Sequence, residues 1–327
     1  MPAAREAMRV NLGRCGALGP RRPSLPPEAG GAARPPALLG SLVPAAPWAA
    51  PVIGAFPRAV ALLHPDGALV SIVADGRSME ARAVAVGARV FGELARALGR
   101  GTTGFRVGLG GTGLELVGPA GRPEAAWALD FAVWDASARL RVAAERLVGH
   151  VGAALERTLD ALERAFVARV PPEGIHGGGP FARRFAVLAE AEDFPRKLAG
   201  FGPGTTPAGD DFIAGWQLAA RLSGLGGVTI GDAELGRTTA AGRALLLGAR
   251  EGCFPAYLLG FAEAFSAAVA APAGPATAAR NASTGSAALD AAMDEAFRHG
   301  ASSGADALLG FLRRFGRQGR VQPLSGT

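Results

Sequence analysis

The sequence predicts an α+β protein, with an N-terminal, mostly antiparallel β region followed by a C-terminal α-helical region. Three observations carry that prediction. Short β-prone runs broken by glycine-rich turns fill residues 47–135, with no regular helices between them. Apolar residues at three- and four-residue spacing take over from Ala136 and define a helical region over 136–315. The chain is 327 residues long, 49% hydrophobic and 19% charged, which suits one large or two ordinary globular domains.

Residues 1–46 are rich in Pro, Gly, Ala and Arg without a sustained period and read as a flexible extension. Residues 58–64 and 69–74 read as strands, joined by the turn His64-Pro65-Asp66-Gly67. Further strands fall at 81–86, 104–108, 114–117 and 126–133, with one helix at 91–98. The run GLGGTG at 108–113 resembles a nucleotide-binding fingerprint only loosely. A strand pattern follows it rather than a helix, so a hairpin turn is the better reading. Residues 139–170 form one long helix or two broken near Gly149 or Gly152, ending before Pro171-Pro172. Residues 171–180 read as a mobile loop. Its His176 suits a catalytic side chain on a lid, but a lone histidine beside three glycines reads better as solvent-exposed. Helices follow at 181–191, 233–250, 254–269 and 289–299, with a linker at 271–286 and a flexible tail at 316–327.

The net charge is +6, carried by arginine, with Lys197 the one lysine. The arginines are scattered without aromatic interleaving, which argues against a nucleic-acid groove. Cys15 and Cys253 form no CxxC pair, so neither a structural disulfide nor a cysteine zinc site is expected. No run approaches the roughly 20 apolar residues of a membrane span, and the N-terminus lacks a signal-peptide core. A cytoplasmic protein without membrane or nucleic-acid partners is the expectation.

The most informative stretch is FGPGTTPAGDDFIAGWQLAARL, residues 201–222. Thr206 reads as a helix cap and Pro207 as the first helical residue. Unpaired N–H groups and the dipole make such a helix start a cradle for an anion. Gly202, Gly204, Thr205, Thr206 and Gly209 are the candidate anion-binding residues. Asp210 falls on the face of Ala214, Gln217 and Arg221, which can meet water. Asp211 falls over Gly215, Leu218 and Leu222, an apolar strip where an acid must find a partner or change its pKa. Asp211 is therefore the stronger candidate for a specific role. A structural reading stands beside this one: capping, proline and N-terminal acids also serve the helix alone.

A second turn echoes the first. Ser302, Ser303 and Gly304, further candidate anion-binding residues, open the last helix, Ser303 as the cap, with Asp306 three residues on. Gly304, Asp306 and Gly310 repeat the spacing of Gly209, Asp211 and Gly215. The expectation is that both helix starts converge on one pocket, with Asp211, Asp306 and Asp210 as catalytic candidates.

GPGTTPAGDDFIAG resembles the signature of the AllH-like family. Other segments are similar to the rest of that family in order. They are the strands of VIGAFPRAVALLHPDGALVSIV, the link AVWDASARL, the helical pair from TTAAGRALLLGAREGCFP onward, and the closing GASSGADALLG. The resemblance spans residues 48–314. In the family pattern a histidine precedes the serine pair; here Ala301 stands there and His299 lies two residues earlier. The resemblance implies a subunit of an oxamate carbamoyltransferase of allantoin breakdown, working with FdrA-like and AllG-like subunits. Such an enzyme moves a carbamoyl group between oxamate and phosphate, releasing carbamoyl phosphate from oxalurate. The phosphate motif S-x-R-T-R of ordinary transcarbamoylases is absent.

The sequence thus supports an enzyme subunit that binds a small anion: carbamoyl phosphate, phosphate, oxamate or oxalurate. No firm cofactor or metal follows. One alternative is a Mg²⁺-dependent nucleotide- or phosphate-binding protein using Asp210 and Asp211, against which stands the lack of a Walker lysine. Another is a non-catalytic structural subunit of a complex.

Overall fold

The structure is a computed structural model that describes residues 37–316 except 100, 149, 151 and 272–277. The expected extension up to residue 36 and the tail from 317 lie outside the described residues. Among those described, 37–134 form one compact unit and 135–316 another.

The first unit is a nine-stranded sheet: β1 (Ala37–Gly40), β2 (Trp48–Ala55), β3 (Ala59–Leu63), β4 (Leu69–Val73), β5 (Ala83–Ala85), β6 (Arg106–Gly110), β7 (Gly113–Val117), β8 (Pro123–Ala128) and β9 (Phe131–Trp134). Their order is β8-β7-β6-β2-β3-β4-β5-β1-β9. Pairing is antiparallel except for β4 with β5 and β1 with β9. Helix α1 (Ala88–Leu98) turns Val90, Phe91, Leu94 and Leu98 onto one face of the sheet, where Val60, Ile72, Val107 and Leu116 meet them. The two turns read from sequence are present. Gly67 takes φ 81° and donates to the His64 carbonyl at 2.9 Å, and Gly110 pairs with Gly113 across the β6–β7 hairpin.

Three expectations need correction. Residues 37–40, read as extension, form a strand held between β5 and β9. Trp48–Ala55, which the strand pattern passed over, is a central strand between β3 and β6. Residues 126–133, read as one strand, are parts of two, on opposite edges of the sheet.

The second unit is helical: α2 (Ala136–Leu147), α3 (Ala153–Arg169), α4 (Pro180–Ala189), α5 (Phe194–Leu198), α6 (Ala208–Ser223), α7 (Asp232–Leu235), α8 (Ala240–Glu251), α9 (Ala256–Ala270), α10 (Ala278–Phe297) and α11 (Ser303–Gly316). Of the two readings of residues 139–170, the structure has the two-helix one, α2 and α3, with Gly152 capping the second at φ 117°. Residues 233–250 also divide in two, because Thr239 starts a new helix by accepting from the Gly242 N–H at 2.9 Å. The expected linker at 271–286 is helical from Ala278.

Helix α6 is the axis of this unit. Fourteen of its 16 residues are buried, as an all-round small and apolar helix requires. Its principal neighbour is α11, and α8, α2, α5 and α9 complete the surround. Glycines set the closeness of the α6–α11 contact. A Cβ on Gly215 would overlap the Ala307 carbonyl, and one on Gly310 would overlap the Phe212 carbonyl.

The stretch Ala240–Ala270 corrects the reading that no run approaches a membrane span, since its length and hydropathy alone would allow one. It folds as two helices separated at 252–255, and 61% of its most apolar window is buried inside the protein.

Candidate functional site

The loop before α6 runs through Gly202 and Gly204, whose φ values of 116° and 105° favour glycine. Pro203, Gly204 and Thr205 are exposed. The helix begins at Ala208, and Pro207 occupies the cap position without a side-chain cap. Thr206 is therefore not the cap. Its Oγ1 lies 2.8 Å from Ser303 Oγ, at the start of α11. Ser303 is itself the first helical residue rather than the cap. Ser302, just ahead of the helix, donates from Oγ to Asp306 Oδ2 at 2.9 Å, and its backbone carbonyl accepts from the Asp306 N–H at 2.9 Å.

The two helix starts thus converge. Both glycine–acid–glycine triplets act alike, because Gly215 meets the residue after Asp306 and Gly310 meets the residue after Asp211. This reciprocity is a local two-fold relation. It brings Asp211 and Asp306 close enough for the Asp306 charge to raise the Asp211 pKa.

The two acids are nonetheless unlike. Asp306 is 1% exposed and has both oxygens engaged, Oδ2 by Ser302 and Oδ1 by His176 Nε2 at 2.7 Å. Asp211 is also 1% exposed, but its Oδ2 has no hydrogen-bond partner. Its pKa is pushed well above the ordinary carboxylate range, first by burial and then by the Asp306 charge. The Ser303 and Thr206 hydroxyls offset part of that rise, and Asp210 adds to it. A carboxyl so placed keeps its proton further toward neutral pH than an ordinary one.

Asp210 is fully buried, contrary to the expectation of a face that meets water. That face is covered by the chain: Gln217 Oε1 accepts from the Val228 N–H at 2.9 Å, and Arg221 donates to the Arg250 carbonyl at 2.7 Å. The Asp210 carboxylate accepts from the Gly200 N–H at 2.8 Å and from the Thr238 hydroxyl. Gly242 leaves room for it, since a Cβ there would overlap both Asp210 and Thr238. Burial pushes the Asp210 pKa up to about 6, against the lowering by those two donors. These contacts make Asp210 a tie between the loop before α6 and the start of α8.

Gly209 and Gly304 also differ from expectation. Their N–H groups donate to the Phe201 carbonyl at 2.9 Å and the His299 carbonyl at 3.2 Å, so neither is spare for an anion. A Cβ on either would overlap a neighbouring carbonyl, of Leu198 and Ala296 respectively. Both are packing glycines. The half-buried hydroxyls of Thr206 and Ser303 reach Asp211, and Thr206 directly follows the exposed Gly204 and Thr205.

His176 is the residue the sequence reading misplaced. Its side chain is 0% exposed, set edge-on to Phe166 with ring centroids 5.7 Å apart, and bound to Asp306. The signal for it was the neighbouring Ile175, an apolar residue in a polar loop, which is buried. His299 stacks on Tyr257 with ring centroids 4.0 Å apart. Among the described residues, no group of three or more His, Cys, Asp and Glu side chains is placed to hold a metal ion.

Residues 198–315 match the family described as oxamate carbamoyltransferase subunit AllH. The match covers both helix starts, and the resemblance read from the sequence holds there. No curated protein and no solved structure matches the chain.

Proposed function

We propose that this chain is a subunit of an oxamate carbamoyltransferase-like enzyme, and that the meeting point of α6 and α11 holds the amide end of its substrate. The family match over residues 198–315 supports the class of enzyme. The observation that carries the site is Asp211: a buried carboxyl with a free Oδ2, where two helix starts meet. Two neighbouring carboxyls oppose a bare phosphate dianion at that spot but suit the uncharged amide end of a carbamoyl or oxamate group. The anionic end of the substrate then faces the glycine loop and the positive ends of the two helices.

In carbamoyl transfer to phosphate, an oxygen of hydrogen phosphate bonds to the carbamoyl carbon, the C–N bond to oxamate breaks, the departing nitrogen needs a proton, and the proton that hydrogen phosphate gives up restores the donor. Asp211, protonated through its raised pKa, supplies it. In the reverse direction the same carboxylate takes that proton back. Thr206 and Ser303 orient the group being transferred. FdrA-like and AllG-like subunits are the proposed partners, in the cytoplasm, as parts of allantoin nitrogen breakdown.

Thermal unfolding with carbamoyl phosphate, phosphate, oxamate and Mg²⁺–ATP tests this reading. A ligand at 100 times its dissociation constant adds roughly 2.7 kcal/mol, a shift of several degrees. Oxamate or carbamoyl phosphate should shift the wild type and leave Asp211→Ala unmoved. A shift with Mg²⁺–ATP alone would replace the proposal with the nucleotide-binding reading.

A further inference from the structure

The two-fold relation between α6 and α11 presents two equivalent carboxyls, and one side chain breaks the equivalence. We propose that His176 is a positioning residue for this site: by donating from Nε2 to Asp306 it holds the negative charge on Asp306 and leaves the proton on Asp211. This rests on the reading of Asp211 as the carboxyl that meets the substrate.

The backbone treats Asp211 and Asp306 alike, each four residues before a glycine that packs on the other helix. Their surroundings differ in what donates to them. Asp306 has His176 Nε2 at 2.7 Å on one oxygen and the Ser302 hydroxyl at 2.9 Å on the other, and the unpartnered Nδ1 of His176 favours a hydrogen on Nε2, the nitrogen that faces an acceptor. Asp211 keeps one oxygen without a partner. Two adjacent buried carboxyls cannot both ionise cheaply, so one proton stays between them. It goes to Asp211, because the Thr206 and Ser303 hydroxyls spend one of their two hydrogens on each other and leave one for its carboxyl, and hydrogen bonds to the charged form favour ionisation. The titratable groups facing Asp211 are Asp306 from α11 and Asp210 from its own helix. Asp306 in turn faces His176, carried by the 3₁₀ turn Gly174–His176. That turn follows α3 and precedes α4, so it straps the side of the site next to Asp306. The strap is packed through Ile175 and through the His176 ring against Phe166.

No ligand enters the test, so its outcome reports where the proton sits and is distinguishable from a failure of Asp211 to meet the substrate. Infrared spectra of the full chain are compared between wild type and Asp211→Asn, which identifies the protonated Asp211 band near neutral pH. His176→Gln, which keeps a donor at the Nε2 position, should retain that band. His176→Phe, which removes the donor, should lose it and gain a protonated band that disappears on adding Asp306→Asn. A folded His176→Phe with the Asp211 band unchanged would overturn the proposal. Should that variant not fold, ¹⁵N NMR of the wild-type imidazole decides. A proton resident on His176 Nε2 is expected, and its absence at neutral pH would equally overturn the proposal.

Discussion

At the scale of single residues, neighbouring acids do different work according to what their side chains reach. Asp210 is structural, and its ionisation carries a stability cost of known sign. Its pKa rises from 3.8 in an ordinary carboxyl to about 6 here. The native state therefore holds its proton more tightly than the unfolded chain does. The resulting stability is fully present below pH 4 and is lost as pH rises through about 6, by about 3 kcal/mol at ~1.4 kcal/mol per tenfold. Asp210→Asn keeps the acceptor oxygen for Gly200 and presents an –NH₂ to Thr238, whose hydroxyl then accepts instead of donating, so it should flatten the decline. Urea unfolding at pH 5 and pH 7 measures this; a variant as pH-sensitive as the wild type would refute it. Asp211 shifts in the same direction, so some decline should survive. The sequence made Asp211 the better candidate because an acid over Gly215, Leu218 and Leu222 had to be buried. It could not show that Asp210 would be buried too, because Thr238 and Gly200 approach it from outside the motif.

At the scale of elements, the glycine spacing shared by α6 and α11 was legible and its consequence follows from packing. Gly215 and Gly310 let two backbones touch, as small residues at a helix crossing do. Gly215→Ala or Gly310→Ala puts a methyl where a carbonyl oxygen already stands. Each should cost about 1–3 kcal/mol or more, because an overfilled core must shift backbone. Gly260→Ala on α9, with open space around its Cα, should be neutral or slightly stabilising by comparison. Thermal midpoints of the three variants check this, and equal midpoints would contradict the close crossing. Helix starts were less legible than helix bodies. Thr206 and Ser303 have the chemistry of caps, but their hydroxyls meet each other at 2.8 Å instead. Choosing between a local and a long-range hydrogen bond requires knowing that the other helix arrives there, which spacing does not encode.

At the scale of the whole molecule, the α+β division and its boundary near residue 135 follow from the change of hydrophobic period at Ala136. The parallel pairs β4–β5 and β1–β9 did not, since strand pairing across a sheet depends on connections that no local pattern records. Every residue of the candidate site lies in the helical unit, between His176 and Asp306. The aromatic set Phe181, Phe185, Phe201 and Phe212 braces the loop that enters it, with Phe181 and Phe201 stacked at 4.9 Å. Asp211 is proposed as the acid that meets the substrate, and Asp210 as the acid that holds the fold. Calorimetric titration of oxamate into the full chain and into two variants separates those roles. Asp210→Asn should bind within a few-fold of wild type, while Asp211→Ala should lose at least tenfold in affinity, about 1.4 kcal/mol. Equal binding by Asp211→Ala and wild type would contradict the assignment of this site.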